Sequence, residues 1–324
     1  MEVKYRHDLD LLKGLAIIAI VLYHAGWCKS GYLGVDVFLV INGYLVVPKV
    51  MNEIEDGRFR YFSFLEKKLF RLLPLVLLVS VFALAIGYMD MLPFDFRFLS
   101  EEVVASSFFA NNILQSITTQ NYWAAIYHKV MMHTWFLGVL FQFYIIFPLL
   151  MIVFRKWMKS TLVILTVLSL LLYLSPIDTI ADKYYLIHYR FFELTMGGLI
   201  ALKTYRGSSI LGYASFLGIL LMIFLGAITI GERAIPYNLE GGTNTIRESF
   251  LPRELILILT VLFTILFVFC NKQKTRILSV AQNSKLMVSL GRMSLSIFLW
   301  HQPLFAFYRY FYADDISFPV LLNR

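Results

Sequence analysis

Several segments of this chain carry ionisable or amide side chains inside long apolar runs. In lipid each such group costs at least a few kcal/mol unless it has a partner or a task. The most informative run is LDLLKGLAIIAIVLYHAG, in which Asp10, Lys13 and His24 interrupt an aliphatic stretch. Lys13 and His24 are 11 residues apart, so about three helical turns bring them to one face, about 16 Å apart along the axis. Asp10, three residues before Lys13, is placed to neutralise it in part. A neutral imidazole near pH 7 is suited to taking a proton from a hydroxyl, which makes His24 a candidate general base. The structural alternative has Asp10 and Lys13 snorkelling to one interface while His24 marks the other.

Further clusters follow along the chain. GVDVFLVINGYL holds Asp36 and Asn42, with Gly34 and Gly43 allowing close helix approach. Asp36 is read either as a helix-start carboxylate or as a partner that orients His24; Asn42 is an interhelical hydrogen-bonding group. In FLEKKLFRLLPL, Lys67, Lys68 and Arg71 share one helical turn, suited to anionic lipid or to a phosphate-bearing donor. HTWFLGVLFQFY brings His133, Trp135, Gln142 and Tyr144, the two aromatics matching an interfacial belt. HYRFFELTMGGL places Arg190 and Glu193 three residues apart, an ion pair in an apolar setting. LGRMSLSIFLWHQPLF ends with Trp300, His301 and Pro303, where the proline kinks a helix and frees a carbonyl. No metal site is expected from these residues.

The elements that position these side chains are membrane helices. Apolar residues make up 59% of the 324-residue chain and charged residues only 15%, a balance that excludes soluble enzymes, disordered regulators and secreted disulfide scaffolds. The net charge of +8 lies in short clusters between apolar runs, with no basic face or motif for nucleic acid. Roughly nine spans are expected for a hydrocarbon core about 30 Å thick, over 9–27, 33–50, 70–89, 135–154, 160–175, 188–202, 209–230, 254–270 and 290–312. A tenth stretch, 103–117, is broken by Ser106, Ser107, Asn111, Asn112 and Gln115. Leaving it out as an outer or re-entrant segment, with the N-terminus cytoplasmic, gives the inner segments about twice the Lys and Arg of the outer ones. Cys28 and Cys270 then fall at opposite faces, so no disulfide is expected. The first run, interrupted by Asp10 and Lys13 and lacking a small-x-small site, reads as a retained span rather than a signal peptide. The longest outer loop of the second half, 231–253, has Gly241-Gly242 as its flexible point. The fold class expected is thus an all-α integral membrane protein, one domain over 1–324.

Taken in order, these motifs resemble the acyltransferase-3 family of bacterial membrane acyltransferases. The likeness rests on the Lys13-to-His24 spacing, GVDVFLVINGYL, KKLFRLLP, HTWFL with QFY, RFFEL with its following glycine, and LGRMSLSIFLWHQP, and it runs over nearly the whole chain. It implies transfer of an acetyl or other short acyl group from cytosolic acyl-CoA, acting as co-substrate, to a hydroxyl of a cell-surface or exported polysaccharide or glycolipid. It also implies the bacterial inner membrane. By resemblance His24 is the essential histidine, Lys13 its basic companion, and Lys67, Lys68 and Arg71 the donor-side motif. Lysine at 13 departs from the commoner arginine, and Leu140 and Phe141 stand where the family usually has two acidic residues. The family usually has a further span after the LWHQP motif, so a tenth helix is expected to be missing at the C-terminus; no SGNH-type domain is expected.

The mechanism implied docks acyl-CoA phosphates on the 67–71 turn and lays the pantetheine arm along the Lys13 face. His24, with Asp36, is the base, by direct attack or through an acyl-enzyme. Asp10, Asn42, His133, Trp135, Arg190, Glu193, Trp300 and His301 shape the chamber. The rival readings are a transporter or flippase for a glycan or lipid-linked precursor, and an inactive truncated relative. The acyl group, the acceptor and the oligomeric state are left open by the sequence.

Overall fold

A computed structural model of the chain describes residues 6–118, 129–177, 179–203, 208–225, 233–239, 242–248, 253–270 and 284–312. Among them are twelve α-helices: α1 (His7–His24), α2 (Gly34–Glu55), α3 (Tyr61–Asp90), α4 (Pro93–Ser107), α5 (Asn111–Thr118), α6 (Trp135–Val153), α7 (Met158–Leu174), α8 (Ile180–Tyr185), α9 (Ile187–Ala201), α10 (Ser209–Leu220), α11 (Arg253–Cys270) and α12 (Lys285–Tyr312). Every run expected to span is helical over most of its length, although the first run leaves the helix after His24 and residues 226–230 of the seventh lie outside the described residues. One two-stranded antiparallel hairpin, Arg233–Leu239 paired with Gly242–Glu248, occupies the expected outer loop. The pairing of Leu239 with Gly242 leaves a two-residue connection, the length that favours a hairpin. Gly241 and the basic residues of 272–276 lie outside the described residues.

Among the described residues, five helical stretches are long and apolar enough to cross a membrane: Gly31–Glu55, Tyr61–Asp90, Met132–Val153, Arg155–Leu174 and Arg253–Cys270. The other expected spans fall short for physical reasons. In α1 the charges of Asp8, Asp10 and Lys13 share 18 residues, and α9 has only 15 residues, Arg190 and Glu193 among them. The broken stretch 103–117 is divided between α4 and α5 at Phe109, whose φ of 53° is left-handed. The 8 residues of α5 extend about 12 Å, far less than a bilayer core.

The chain forms two compact units, each discontinuous in sequence. The first contains residues 1–38 and 205–292. Here the stretch after α1 folds back so closely that a side chain on Gly31 would collide with the Ala19 carbonyl, and one on Gly34 with the Ala16 carbonyl. Gly14 and Gly291 bring the start of α12 equally near to α1, Gly291 lying against the Asp10 backbone. Both cysteine thiols are free and buried; Cys28 Sγ donates to the Ile223 carbonyl at 3.2 Å. Burial raises the Cys28 thiol pKa, a shift opposed by backbone hydrogen bonds from Ser30 and Gly31.

The second unit contains residues 39–204 and 293–324. Its α2 and α9 meet through glycines: Gly43 against the Leu194 backbone, Gly197 against the Val40 carbonyl and Gly198 against Val47. Small residues let backbones approach where lipid supplies no hydrophobic drive between helices. Burial of α9 against α7 adds a hydroxyl contact, Thr166 to Thr195 at 2.8 Å.

Candidate functional site

In the first unit, α1 holds the two groups expected to share a face. His24 Nδ1 lies 3.0 Å from the Ile20 carbonyl one turn earlier. A carbonyl only accepts, so Nδ1 carries the proton and a neutral ring presents Nε2 as its basic nitrogen. Lys13 and Asp10 are paired at 3.6 Å across one turn, with Asp10 the more buried partner. Asp36 is fully buried in the first turn of α2. Tyr23 packs edge-on against His24, 5.0 Å between ring centres.

In the second unit, the basic turn of α3 divides. Lys67 and Arg71 are exposed, whereas Lys68 turns inward over the Tyr144 ring, 4.4 Å from its centre, and over Phe64 at 5.4 Å. The Tyr144 hydroxyl donates to Asn42 Oδ1 at 3.3 Å. This chain of contacts joins three of the sequence motifs. Tyr144, expected at an aromatic belt, is instead buried, as is Trp135. The QFY spacing gave no sign that a tyrosine would carry a lysine.

Arg190 and Glu193 form the expected ion pair at 2.6 Å with both side chains completely buried. The guanidinium also donates through Nε to the Tyr184 carbonyl at 3.1 Å and stands over the Tyr184 ring at 4.7 Å and the Trp135 ring at 5.7 Å. Trp135 and the ion pair therefore belong to one cluster, with Tyr184 a member that sequence reasoning missed. His133 and His301 also meet, 5.5 Å between ring centres. Their neighbour Trp300 points another way, onto Phe82 of α3 at 4.9 Å, because consecutive helical residues diverge by about 100°.

The segment before α6 is fixed by a buried polar network that sequence reasoning saw only as interruptions of an apolar run. Glu102 accepts from Gln115 Nε2 at 2.8 Å and from the Met131 amide at 2.9 Å. Asn111 donates to the Met131 carbonyl at 2.8 Å and to Thr134 Oγ1 at 2.7 Å, and Ser106 meets Thr134 at 2.6 Å. Burial pushes the Glu102 carboxyl pKa up, against the Met131 amide, Lys129 and Gln115, which pull it down. Lys129 is pushed down by burial and partly restored by Glu102. Asn112 and Gln142 exchange two amide hydrogen bonds, at 3.1 and 2.8 Å.

Two replaced positions also find an explanation. Leu140 is buried, and Phe141 stacks on Phe109 at 4.3 Å, so apolar packing occupies the place where related motifs carry acids. Among the described residues, no group of three or more His, Cys, Asp or Glu is arranged to hold a metal ion.

A family profile described as "Acyltransferase domain", that of acyltransferase-3, matches residues 6–322. The chain belongs to the acyltransferase-3 family. A Staphylococcus aureus (strain MSSA476) protein named "Putative O-acetyltransferase" is 26% identical, covering 97% of this chain and 53% of its own length. The peptidoglycan O-acetyltransferase OatA of Listeria monocytogenes is 25% identical, over 93% of this chain and 49% of its own. The O-acetyltransferase OatA of S. aureus (strain NCTC 8325) is 25% identical, over 96% and 52% respectively. This acyltransferase-3 chain thus spans about half the length of the curated relatives it matches. No solved structure matches it.

Proposed function

We propose that this acyltransferase-3 chain is a multi-pass membrane O-acetyltransferase moving an acetyl group from cytosolic acetyl-CoA to a glycan hydroxyl. In this reading roughly nine helices cross the bacterial inner membrane with the N-terminus inside, an orientation supported by the distribution of basic residues. The acceptor is a carbohydrate polymer of the cell-wall kind, a reading supported by the name of the Listeria relative.

The observation that carries the reading is the His24–Ile20 hydrogen bond, which commits Nδ1 as donor and leaves Nε2 the basic atom. Nε2 takes the proton of the acceptor hydroxyl as that oxygen attacks the thioester carbonyl. The C–S bond breaks, an ester forms, and the departing thiolate of coenzyme A takes the proton back from the imidazolium. Asp36, in the same unit, is the carboxylate this reading assigns to orient His24, and Lys13, about three turns away along α1, is its basic companion by family resemblance. In the second unit, Lys67, Lys68 and Arg71 contact the donor phosphates. Asp10 in the first unit, and Asn42, Trp135, Arg190, Glu193, Trp300 and His301 in the second, are the further residues this reading assigns to acceptor handling.

Radiolabelled acetyl-CoA supplied to membranes containing the chain, compared with His24→Ala at matched expression, tests this. Label reaching glycan in wild type alone is expected. Equal label in both removes His24 as the base; none in either removes the activity.

A further inference from the structure

Lys68 turns inward within the second unit, and it does not stand there alone. Arg71 is one turn along the same helix, and Lys49 of α2 lies near enough that Lys68 feels both charges. Two contacts bring Lys49 to this place. The Tyr144 ring under Lys68 carries the hydroxyl that donates to Asn42 of α2, and Lys49 is seven residues beyond Asn42. Seven residues are close to two full turns, so Lys49 returns to the Asn42 face about 10 Å further along the axis. Lys67, by contrast, is turned about 100° from Lys68 around α3 and is exposed.

Like charges gathered at a partly desolvated point repel one another. Acidic residues do little to relieve the repulsion here. Among the described residues neither Lys68 nor Arg71 forms an ion pair, and Lys49 pairs with Glu53 at 4.0 Å, both side chains being partly in water. A loose pair of that kind on one helix face adds little stability. The Phe64 and Tyr144 rings hold the Lys68 ammonium in position without accepting its N–H groups in ordinary hydrogen bonds. Three cations from two helices, with one loosely held carboxylate beside them, match a group that carries several negative charges and many acceptor oxygens. Coenzyme A is such a group, with a diphosphate and a separate phosphate on its ribose. A phospholipid headgroup presents its charge from outside the helices, whereas Lys68 turns in towards Tyr144 and Asn42.

We propose that Lys49 is a further donor-binding residue, completing with Lys68 and Arg71 a cradle of three cations for the phosphates of coenzyme A. The assignment rests on the acetyl-CoA reading above. Glu53 is the partner that Lys49 leaves when the phosphates arrive, so its carboxylate opposes binding.

The test titrates acetyl-CoA, at low and at raised salt, onto the purified full chain in nanodiscs containing phosphatidylcholine and phosphatidylglycerol. Wild type is compared with Lys49→Gln, Lys49→Arg, Glu53→Gln and Lys159→Gln, the last removing an exposed lysine of α7. Melting temperatures and the phosphatidylglycerol retained in native mass spectra are recorded alongside. Lys49→Gln is expected to bind acetyl-CoA about fivefold more weakly, with a shallower salt dependence and an unchanged melting temperature. Lys49→Arg keeps the affinity. Glu53→Gln binds about threefold more tightly, a gain that damage to the helix would not produce. Affinity in Lys49→Gln equal to wild type, or a loss matched by Lys159→Gln, overturns the proposal while wild-type binding leaves the donor reading standing. Weaker binding in Glu53→Gln overturns it as well, because the pair would then be a support for α2. Loss of retained phosphatidylglycerol in Lys49→Gln with acetyl-CoA affinity intact assigns the cations to lipid and overturns it. A wild type that binds no acetyl-CoA removes the donor reading together with the cradle.

Discussion

The ammonium of Lys68 stands 4.4 Å from the centre of the Tyr144 ring, whose hydroxyl in turn donates to Asn42. Three basic residues within one turn looked equivalent in sequence, yet only Lys68 is drawn inward; Lys67 and Arg71 remain exposed. A partly desolvated cation over a ring gains about 0.5–2 kcal/mol. That energy fixes where the charge is held. Lys68→Ala is therefore expected to raise the KM for acetyl-CoA about tenfold more than Lys67→Ala does. Tyr144→Phe, which keeps the ring, should change it much less than Tyr144→Ala. Initial rates against acetyl-CoA concentration in membranes provide the check, and equal effects at positions 67 and 68 would remove the distinction.

How much of this arrangement the sequence disclosed depends on the range of the interaction. The Asp10–Lys13 and Arg190–Glu193 pairs are separated by three residues, so helical periodicity alone brings them together. The carbonyl freed by Pro303, that of Leu299, was equally legible, because the rule needs only the proline and a helix. Its partner was not: His133 is 166 residues away from Leu299, and no local pattern encodes that meeting. The same holds for Lys68 with Tyr144 and for Arg190 with Tyr184 and Trp135. The stretch 103–117 was read as an apolar run broken by its serines and amides. Its division into α4 and α5, with Glu102, Asn111 and Gln115 turned inward as a scaffold for Met131 and Thr134, required the tertiary structure. Trp135 and Tyr144 matched an interfacial belt in sequence, because belt and core aromatics look alike there, whereas both are buried.

The glycines of α2 and α9 set a strict test of the second unit. A Cβ on Gly43 would strike the Leu194 backbone, which has no rotamer to move away. Gly43→Ala is expected to abolish folded protein or to lower its yield severely, whereas Gly57→Ala is milder. Gly57 ends a turn at φ +69° with no neighbouring atom in reach of a Cβ, so the cost there is that of backbone strain alone, about 1–2 kcal/mol. Size-exclusion profiles of fluorescently tagged variants in detergent report the difference. A monodisperse Gly43→Ala protein would contradict the close approach.

Asp182 supplies a pH-dependent contribution to the second unit. Hydrogen bonds from Ser116 at 2.6 Å and Thr179 at 2.6 Å hold its carboxyl pKa below the usual carboxylate value. A depressed folded pKa means that the unfolded chain binds the proton more readily. The contribution is therefore present above the unfolded pKa, near 4, and is lost as pH falls through the folded value. Wild type should lose melting temperature on going from pH 5 to pH 3 more steeply than Asp182→Asn, with other carboxylates common to both. Thermal scans in detergent across that range decide it, and parallel curves would assign Asp182 no such role.

The buried pair of Arg190 and Glu193 offers the largest single effect. With both side chains completely buried, either charge left alone is uncompensated, which costs about 3–5 kcal/mol. Arg190→Met and Glu193→Leu are each expected to lower the unfolding temperature sharply. The double variant should recover much of the loss, since removing both charges also removes the desolvation cost. Arg190→Lys distinguishes charge from shape. An ammonium can still pair with Glu193, but it has no planar face to lie over Tyr184 and Trp135 and cannot reproduce the Nε bond to the Tyr184 carbonyl. It should fall between wild type and Arg190→Met in stability. A double variant no more stable than the worse single one would mean that the two residues are held for their separate contacts rather than for each other.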